Sequence, residues 1–350
     1  MFYESFSELE HISKGVGNLP QYVQGGGGNT SVKLDDKLMA VKASGYKLKQ
    51  ITQNEGFVVV NYKNIKEYFN NIDLSLDVDY EKDSIKFTKD NVVNFEGLKE
   101  LRPSVEAGFH SILKKYVIHT HPVYANIICC STQGKSLMNK ILPEDKWNTL
   151  WVSYINPGFF LTVRIKEGLK KYEEKSKYPE IIFMENHGFI VHSDDMEKCI
   201  TLHNDINTRI KEYLGINEVY PQIEIIQSLD GTFKSNTKYL IEFFKNRKIE
   251  ANFFQKYALY PDQLVYLNDS VSLDERVRNK LVINNKTGEL KYNTNYNEAL
   301  TIEETLLGYI YVIDKIEKAG LEVKSMSEKE IDYIRNWESE KYRKSLVKQI

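Results

Sequence analysis

The sequence predicts a layered α/β domain over residues 1–215, with mainly antiparallel strand pairing, followed by an extension over residues 216–350. Three observations predict it. Short β-branched and alternating runs interleave with helical stretches up to about residue 215. Several strands are joined by links too short for a parallel crossover. Beyond residue 216 the pattern changes to helical and aromatic-rich segments, and at roughly 150 residues per domain a 350-residue chain has room for a domain and a large extension.

The elements follow in order. Residues 2–14 read as a short amphipathic helix that ends in the Gly15–Pro20 region. Four glycines, Gly25–Gly28, then run into a hairpin over residues 29–42 that turns around Asp35-Asp36. Gly56–Tyr62 is a β-branched run suited to a buried strand, and residues 70–95 read as a polar loop or insertion. Pro103 and Ser104 are helix-start residues, and helical spacing follows over Val105–Lys115. Tyr116–Thr120 is a short strand, and Pro122 opens a helix through Cys130. Leu150–Tyr154 is a strand, Gly158–Lys175 a helix, Glu180–Met184 a strand and Phe189–His192 another. Ser193 then caps a long helix to about Tyr213. In the extension, helices are expected near Thr237–Asn246, over Ala299–Lys318 and over Ser327–Leu346. The aromatic run FFQKYALYPDQLVYL lies between the first two.

Composition narrows the class. With 41% hydrophobic and 27% charged residues the chain is of ordinary globular make-up. Its 47 basic and 49 acidic side chains leave a net charge of −2, which argues against a nucleic-acid partner. Only eight of the basic residues are Arg, so bidentate phosphate clamps are scarce. No apolar run approaches the roughly 20 residues of a membrane span, and residues 1–14 lack the pattern of a signal peptide. Three cysteines, two of them adjacent at 129 and 130, fit no zinc-knuckle or redox spacing and read as reduced core thiols. A cytoplasmic protein is expected.

Seven histidines are present. His119 and His121, two apart on a strand, share a face and can reach one ion, or can be a satisfied polar pair at the strand end. His187 sits in Asn-His-Gly, where Gly188 permits a sharp turn that projects the ring. A third imidazole would leave a fourth position open, the pattern of a catalytic zinc site, although a turn residue bonding its own backbone reads the same way. Glu106 falls in the first turn of the expected helix, with His110 one turn on. Its carboxylate suits either the helix dipole or general acid–base work beside the histidines. The segments Gly25–Ser31 and Ser44-Gly45 can fold their N–H groups into anion nests, but match neither a dinucleotide nor a P-loop fingerprint. His11, His192 and His203 read as surface or helix residues.

In order along the chain, GGGGNTSVKL, VKASG, PSVE, HTHP and ENHG resemble the motifs of the class II aldolase/adducin family over about residues 20–215. The likeness is to the aldolase portion of rhamnulose-1-phosphate aldolase-type proteins. The resemblance implies a three-layer α/β/α fold with a central, mainly antiparallel sheet. It implies Zn²⁺ held by His119, His121 and His187, with Glu106 as the catalytic carboxylate. Gly28, Asn29, Ser44, Gly45 and Ser104 match the substrate-phosphate cradle. Val105 stands where some family aldolases carry a second serine, and Gly26 where a threonine can hold phosphate, which leaves a phosphorylated substrate open. A catalytic tyrosine is not marked by any motif; Tyr154 is one candidate and the C-terminal tyrosines are others. The implied activity is reversible cleavage of a ketose or ketose phosphate to dihydroxyacetone phosphate, or an analogue, and an aldehyde. Epimerisation or decarboxylation of a 3-keto sugar acid on the same site, and a non-catalytic scaffold of the adducin kind, are the alternatives. A homotetramer is expected from the resemblance, and residues 216–350 are expected to serve assembly, cover the site or bind a partner.

Overall fold

The computed structural model describes residues 2–172, 178–273 and 279–337. Its centre is an eight-stranded sheet built from β1 (Asn29–Lys33), β2 (Leu38–Lys42), β3 (Phe57–Asn61), β4 (Val92–Val93), β5 (Tyr116–Thr120), β6 (Thr149–Val152), β7 (Ile181–Met184) and β8 (Gly188–Ser193). The strand order is β4-β3-β2-β1-β5-β8-β7-β6, and every pairing is antiparallel except β6 with β7. The expected three-layer fold is therefore present, with its mainly antiparallel sheet.

The layers can be read from single strands. In β5, Tyr116 and Ile118 join the core that contains Leu9, Ile12, Ile206 and Ile210, whereas Val117 joins Phe109, Leu161 and Ile165 on the other face. β7 divides in the same way, Ile181 and Phe183 to one side and Ile182 and Met184 to the other. A strand covered on both faces has no reason to alternate apolar with polar residues, which is why GFVVVNY and EIIFM read as continuous apolar runs. The helices Tyr3–Gly17, Val123–Cys129 and Met196–Tyr213 cover one face; Tyr62–Asn70, Ala107–Ile112 and Phe159–Lys170 cover the other.

Four local expectations need correction. Residues 70–95 are not a plain loop: they hold a helix, Tyr80–Asp90, and the edge strand β4. The helix is polar but firmly started, since the Asp79 carboxylate accepts from the Lys82 N–H and Tyr80 stacks on Phe159. The helix expected over Val105–Lys115 spans only Ala107–Ile112, because Pro103 bridges to Ala43 and draws the preceding residues towards the sheet. Asp195, not Ser193, caps the helix Met196–Tyr213; Ser193 is the last residue of β8. A helix at Gly134–Ile141 has no counterpart among the expected elements. The helix expected over Ser327–Leu346 is Glu328–Asn336 and ends at Trp337, whose backbone is extended; that expected over Gly158–Lys175 is Phe159–Lys170, and residues 338–346 and 173–175 of these expectations lie outside the described residues.

Past residue 216 the extension contains the expected helices, at Lys238–Asn246 and Tyr296–Lys318, together with a second, five-stranded sheet. Its strands are β9 (Ile225–Gln227), β10 (Phe233–Ser235), β11 (Val271–Ser272), β12 (Leu281–Ile283) and β13 (Leu290–Tyr292), in the order β11-β12-β13-β10-β9. Strands of two or three residues leave little periodicity to read. The helix Tyr296–Lys318 lies against Val123–Cys129, and one apolar cluster runs from Ile206 and Tyr124 into Leu306, Ile310 and Ile313. Among the described residues no helix is long and apolar enough to cross a membrane. Truncation of the fully buried Ile310 to Ala is expected to lower stability by about 2–5 kcal/mol. Because the cluster is continuous, calorimetry of that variant should still show one unfolding transition; two separated transitions would contradict a shared core.

Candidate active site

Strand β5 sets the geometry. Its alternation places His119 on the Val117 side, where the Phe109 ring meets it edge-on at 5.6 Å between centroids. Thr120 points to the opposite layer, its hydroxyl 2.6 Å from His203 Nε2. His121 follows the strand end and returns to the first side, so that the Nε2 atoms of His119 and His121 stand 3.2 Å apart. His187 arrives from the turn between β7 and β8. There the left-handed conformation is taken by Asn186, with φ of 50°, and not by Gly188. Gly188 is required for close approach instead: a Cβ on it would sit 2.6 Å from the Thr120 carbonyl oxygen. One nitrogen from each of the three buried imidazoles falls within 4.8 Å of the others.

The outer nitrogens decide the tautomers. His119 Nδ1 lies 3.0 Å from the Phe189 carbonyl oxygen, and His121 Nδ1 lies 2.5 Å from Asp262 Oδ2. Both acceptors take a proton on Nδ1, so in neutral rings the two Nε2 lone pairs face each other. Facing lone pairs repel unless a cation lies between them. The spacing suits one, because two nitrogens about 2.0–2.1 Å from a tetrahedral zinc are separated by about 3.3 Å. The donor set therefore fits a divalent metal. Burial also pushes the His119 imidazole well below its usual range, in opposition to the nearby Glu106 carboxylate, and so keeps it neutral.

Glu106 immediately precedes the helix Ala107–Ile112, a position outside the first turn expected from sequence. Its Oε1 is 3.3 Å from His187 Nε2 and its Oε2 3.6 Å from His119 Nε2, and it accepts a short hydrogen bond from Asn29 Nδ2. Burial alone would raise its pKa; the neighbouring His119 ring and the hydrogen bond from His187 outweigh it and hold the carboxyl well below its ordinary range. Asn29 is brought here by register, because it pairs directly with His119 across β1 and β5.

Gly28, Asn29, Ser44, Gly45, Ser104, Glu106, His121 and His187 line one cavity of 40 Å³. The backbone shapes it: Ser44 N–H donates to the Arg102 carbonyl at 2.9 Å, and Glu106 N–H donates to Ser104 Oγ at 3.2 Å. Tyr154 is not part of this wall. It borders a neighbouring 1380 Å³ cleft, which shares Trp337 with the cavity. Sequence reasoning missed five lining residues: Lys42, Pro157, Pro261, Asp262 and Trp337. Lys42 had a readable signal, since it lies two residues before Ser44 at the end of β2, a spacing that shares a strand face. The others lie far away in sequence and have none.

Residues 12–214 match the family model for the class II aldolase and adducin N-terminal domain. The chain belongs to the class II aldolase and adducin family. A curated relative, the uncharacterized oxidoreductase YuxG of Bacillus subtilis (strain 168), is 28% identical over 226 residues, 61% of this chain. The match spans only 30% of that relative's length. Among solved structures, the N-terminal class II aldolase domain of a conserved protein from Thermoplasma acidophilum is 24% identical, with a TM-score of 0.49, over 59% of this chain and 92% of that one. An L-fuculose 1-phosphate aldolase from Glaciozyma antarctica PI12 is 12% identical, with a TM-score of 0.40, over 62% and 74% of the two chains.

Two of the three histidines set aside as surface or helix residues are wholly buried in this class II aldolase domain, His192 in β8 and His203 in the helix against Thr120; only His11 is exposed. Burial holds His192, His203 and also His110 down at about 3. Unfolded imidazoles titrate near 6.5, so below that pH the unfolded chain binds protons that the folded chain refuses. Stability from these groups is complete above about pH 6.5 and declines as pH falls towards 3, by up to about 1.4 kcal/mol per pH unit for each. Glu81, lifted to about 7 by burial, and Glu303, also raised by burial, work in the opposite sense, two groups against three. Urea unfolding is expected to show lower stability at pH 5 than at pH 7.5, with a shallower acid slope in His203→Gln; an unchanged slope would place a charge on that ring.

Proposed function

We propose that this chain is a metal-dependent aldehyde-lyase that reversibly cleaves a ketose or ketose phosphate into dihydroxyacetone phosphate, or a close analogue, and an aldehyde. The observation that carries the reading is the placement of Glu106. An ionised carboxylate lies against two of three convergent imidazoles, His119 and His187, and lines the cavity that also gathers the two glycine-containing nests. His119, His121 and His187 would hold a divalent metal, zinc by preference for an all-nitrogen set. When bound, it would polarise the substrate's carbonyl and hydroxyl oxygens and offset the negative charge that develops as the carbon–carbon bond breaks.

The chain's own residues supply the rest. Glu106 accepts the proton of the hydroxyl on the departing carbon and returns one proton to the carbon left on the keto fragment, so cleavage is proton-neutral overall. Asn29 holds that carboxylate in place through its amide. Backbone N–H groups at Gly28 and Gly45, with the Ser44 and Ser104 hydroxyls, form the cradle for an anionic end of the substrate. Lys42 is buried in the wall of the same cavity and adds a basic side chain to it.

Elemental analysis of the purified chain is expected to give near one divalent metal per chain, lost in the His119→Ala, His121→Ala double variant. Aldehyde release should then be found in a screen of ketose phosphates. Glu106→Gln is expected to keep the metal and lower kcat by about 10²–10⁴. A chain that takes up no metal, or one whose Glu106→Gln variant works at full rate, would overturn the reading. Released CO₂ or an inverted stereocentre in place of aldehyde would move the assignment to decarboxylase or epimerase. Lys42→Gln is expected to raise KM for phosphorylated substrates at least tenfold, with little change for unphosphorylated ones, in the same assay.

A further inference from the structure

Asp262 lies 141 residues from His121 in sequence, in the extension, yet its Oδ2 is 2.5 Å from His121 Nδ1 and both side chains are buried. Nδ1 is the nitrogen that faces away from the other two histidines, since Nε2 is the atom turned towards His119. The carboxylate therefore sits behind the ring, outside the set of atoms that converge on the cation position.

Its position is determined by several independent contacts. Pro261 starts a short helical turn, Pro261–Gln263, that continues into a wide π-type turn over Leu264–Asn268, a conformation found often at functional sites. The neighbouring Gln263 is wholly buried: its Oε1 accepts from the Leu259 N–H at 2.7 Å, and its Nε2 donates to the Phe254 carbonyl at 2.9 Å and to Asn268 Oδ1 at 3.0 Å. Asn186, next to His187, donates from its side chain to the Leu259 and Lys324 carbonyls, both at 2.8 Å. The turn that delivers one histidine thus holds the loop that supports another. On the remaining side is Gly27. A Cβ there would lie 2.3 Å from Asp262 Oδ2 and 2.7 Å from His121 Nδ1, so this glycine keeps open the space that the pair occupies.

We propose that Asp262 is a positioning residue for the metal site, supplied by the extension, which fixes the Nδ1–H tautomer and ring orientation of His121 so that Nε2 is presented for coordination. This rests on the metal-site reading above. A carboxylate on the outer nitrogen of a ligating imidazole raises its basicity and removes its rotational freedom, and loss of such a partner weakens metal binding by about 10–100-fold.

The test uses the full chain and zinc alone, with affinity measured by competition against a chromophoric chelator. Asp262→Ala is expected to weaken zinc binding 10–100-fold. Asp262→Asn keeps a carbonyl acceptor for the ring N–H and is expected to stay much closer to wild type. Gly27→Ala, which pushes the carboxylate aside without removing it, is expected to behave like Asp262→Ala. In parallel, the imidazole N–H resonances of the zinc-free protein should include one shifted far downfield by the carboxylate, present in wild type and absent from Asp262→Ala. That readout remains available if the alanine variant binds no zinc, and thermal unfolding of the zinc-free variants shows whether they fold. Wild-type zinc affinity in Asp262→Ala would overturn the proposal while leaving the metal site standing. A wild-type chain that binds no zinc would overturn both. Equal weakening in Asp262→Ala and Asp262→Asn would overturn the tautomer role.

Discussion

Two buried imidazole Nε2 atoms turned towards each other at 3.2 Å are the constraint on which the rest of this structure depends. Each must be kept neutral, correctly tautomerised and unable to rotate away. Burial accounts for the first at His119. An acceptor on each outer nitrogen, the Phe189 carbonyl and the Asp262 carboxylate, accounts for the second and third. The central sheet can be read as the device that brings these groups together: β5 carries the two histidines, β1 sets Asn29 opposite one of them, and β8 begins at the turn that supplies the third.

The second consequence concerns charge. Glu106 is a buried carboxylate, and it remains ionised because the His187 ring and the Asn29 amide take the place of water. Removal of any one partner would leave a charge or a polar atom without compensation in a dry cavity, at a cost of about 1–3 kcal/mol for a neutral group and more for an ion. The three buried histidines outside the site, 110, 192 and 203, show the opposite solution, in which the ring stays neutral.

Much of the fold was legible in the sequence, and for identifiable reasons. The H-T-H spacing on a strand, the hairpin around Asp35-Asp36 and the apolar runs of β3 and β7 all rest on the twofold repeat of a strand, which sequence displays directly. The helix Tyr80–Asp90 was hidden because its exposed face is polar and its start depends on a single capping aspartate. The five-stranded sheet of the extension was hidden because its strands are too short to show a period. At the site, the expected metal ligands lie on consecutive motifs and their ring nitrogens converge, while His121, His187, Glu106 and the cradle residues line one cavity. Asp262 could not be read, because what makes it special is a partner 141 positions away. Tyr154 was picked for its residue type, and the fold places it on the adjoining cleft.

The wide turn at Leu264–Asn268 has a bearing on how this region can vary. A π-type turn holds one residue more than the α-helix it interrupts, and one residue in a helix corresponds to about 100° of rotation. Loss of a single residue between Gln263 and Asp269 would let the segment relax into regular helix and swing Asp262 by about a quarter-turn off His121. Apolar substitutions at Leu264, Val265 and Leu267 change only what packs there. The register of this stretch, measured as its number of residues, is therefore held more tightly than its composition, and an insertion or deletion here would disturb the imidazole cluster as surely as a change to one of its histidines.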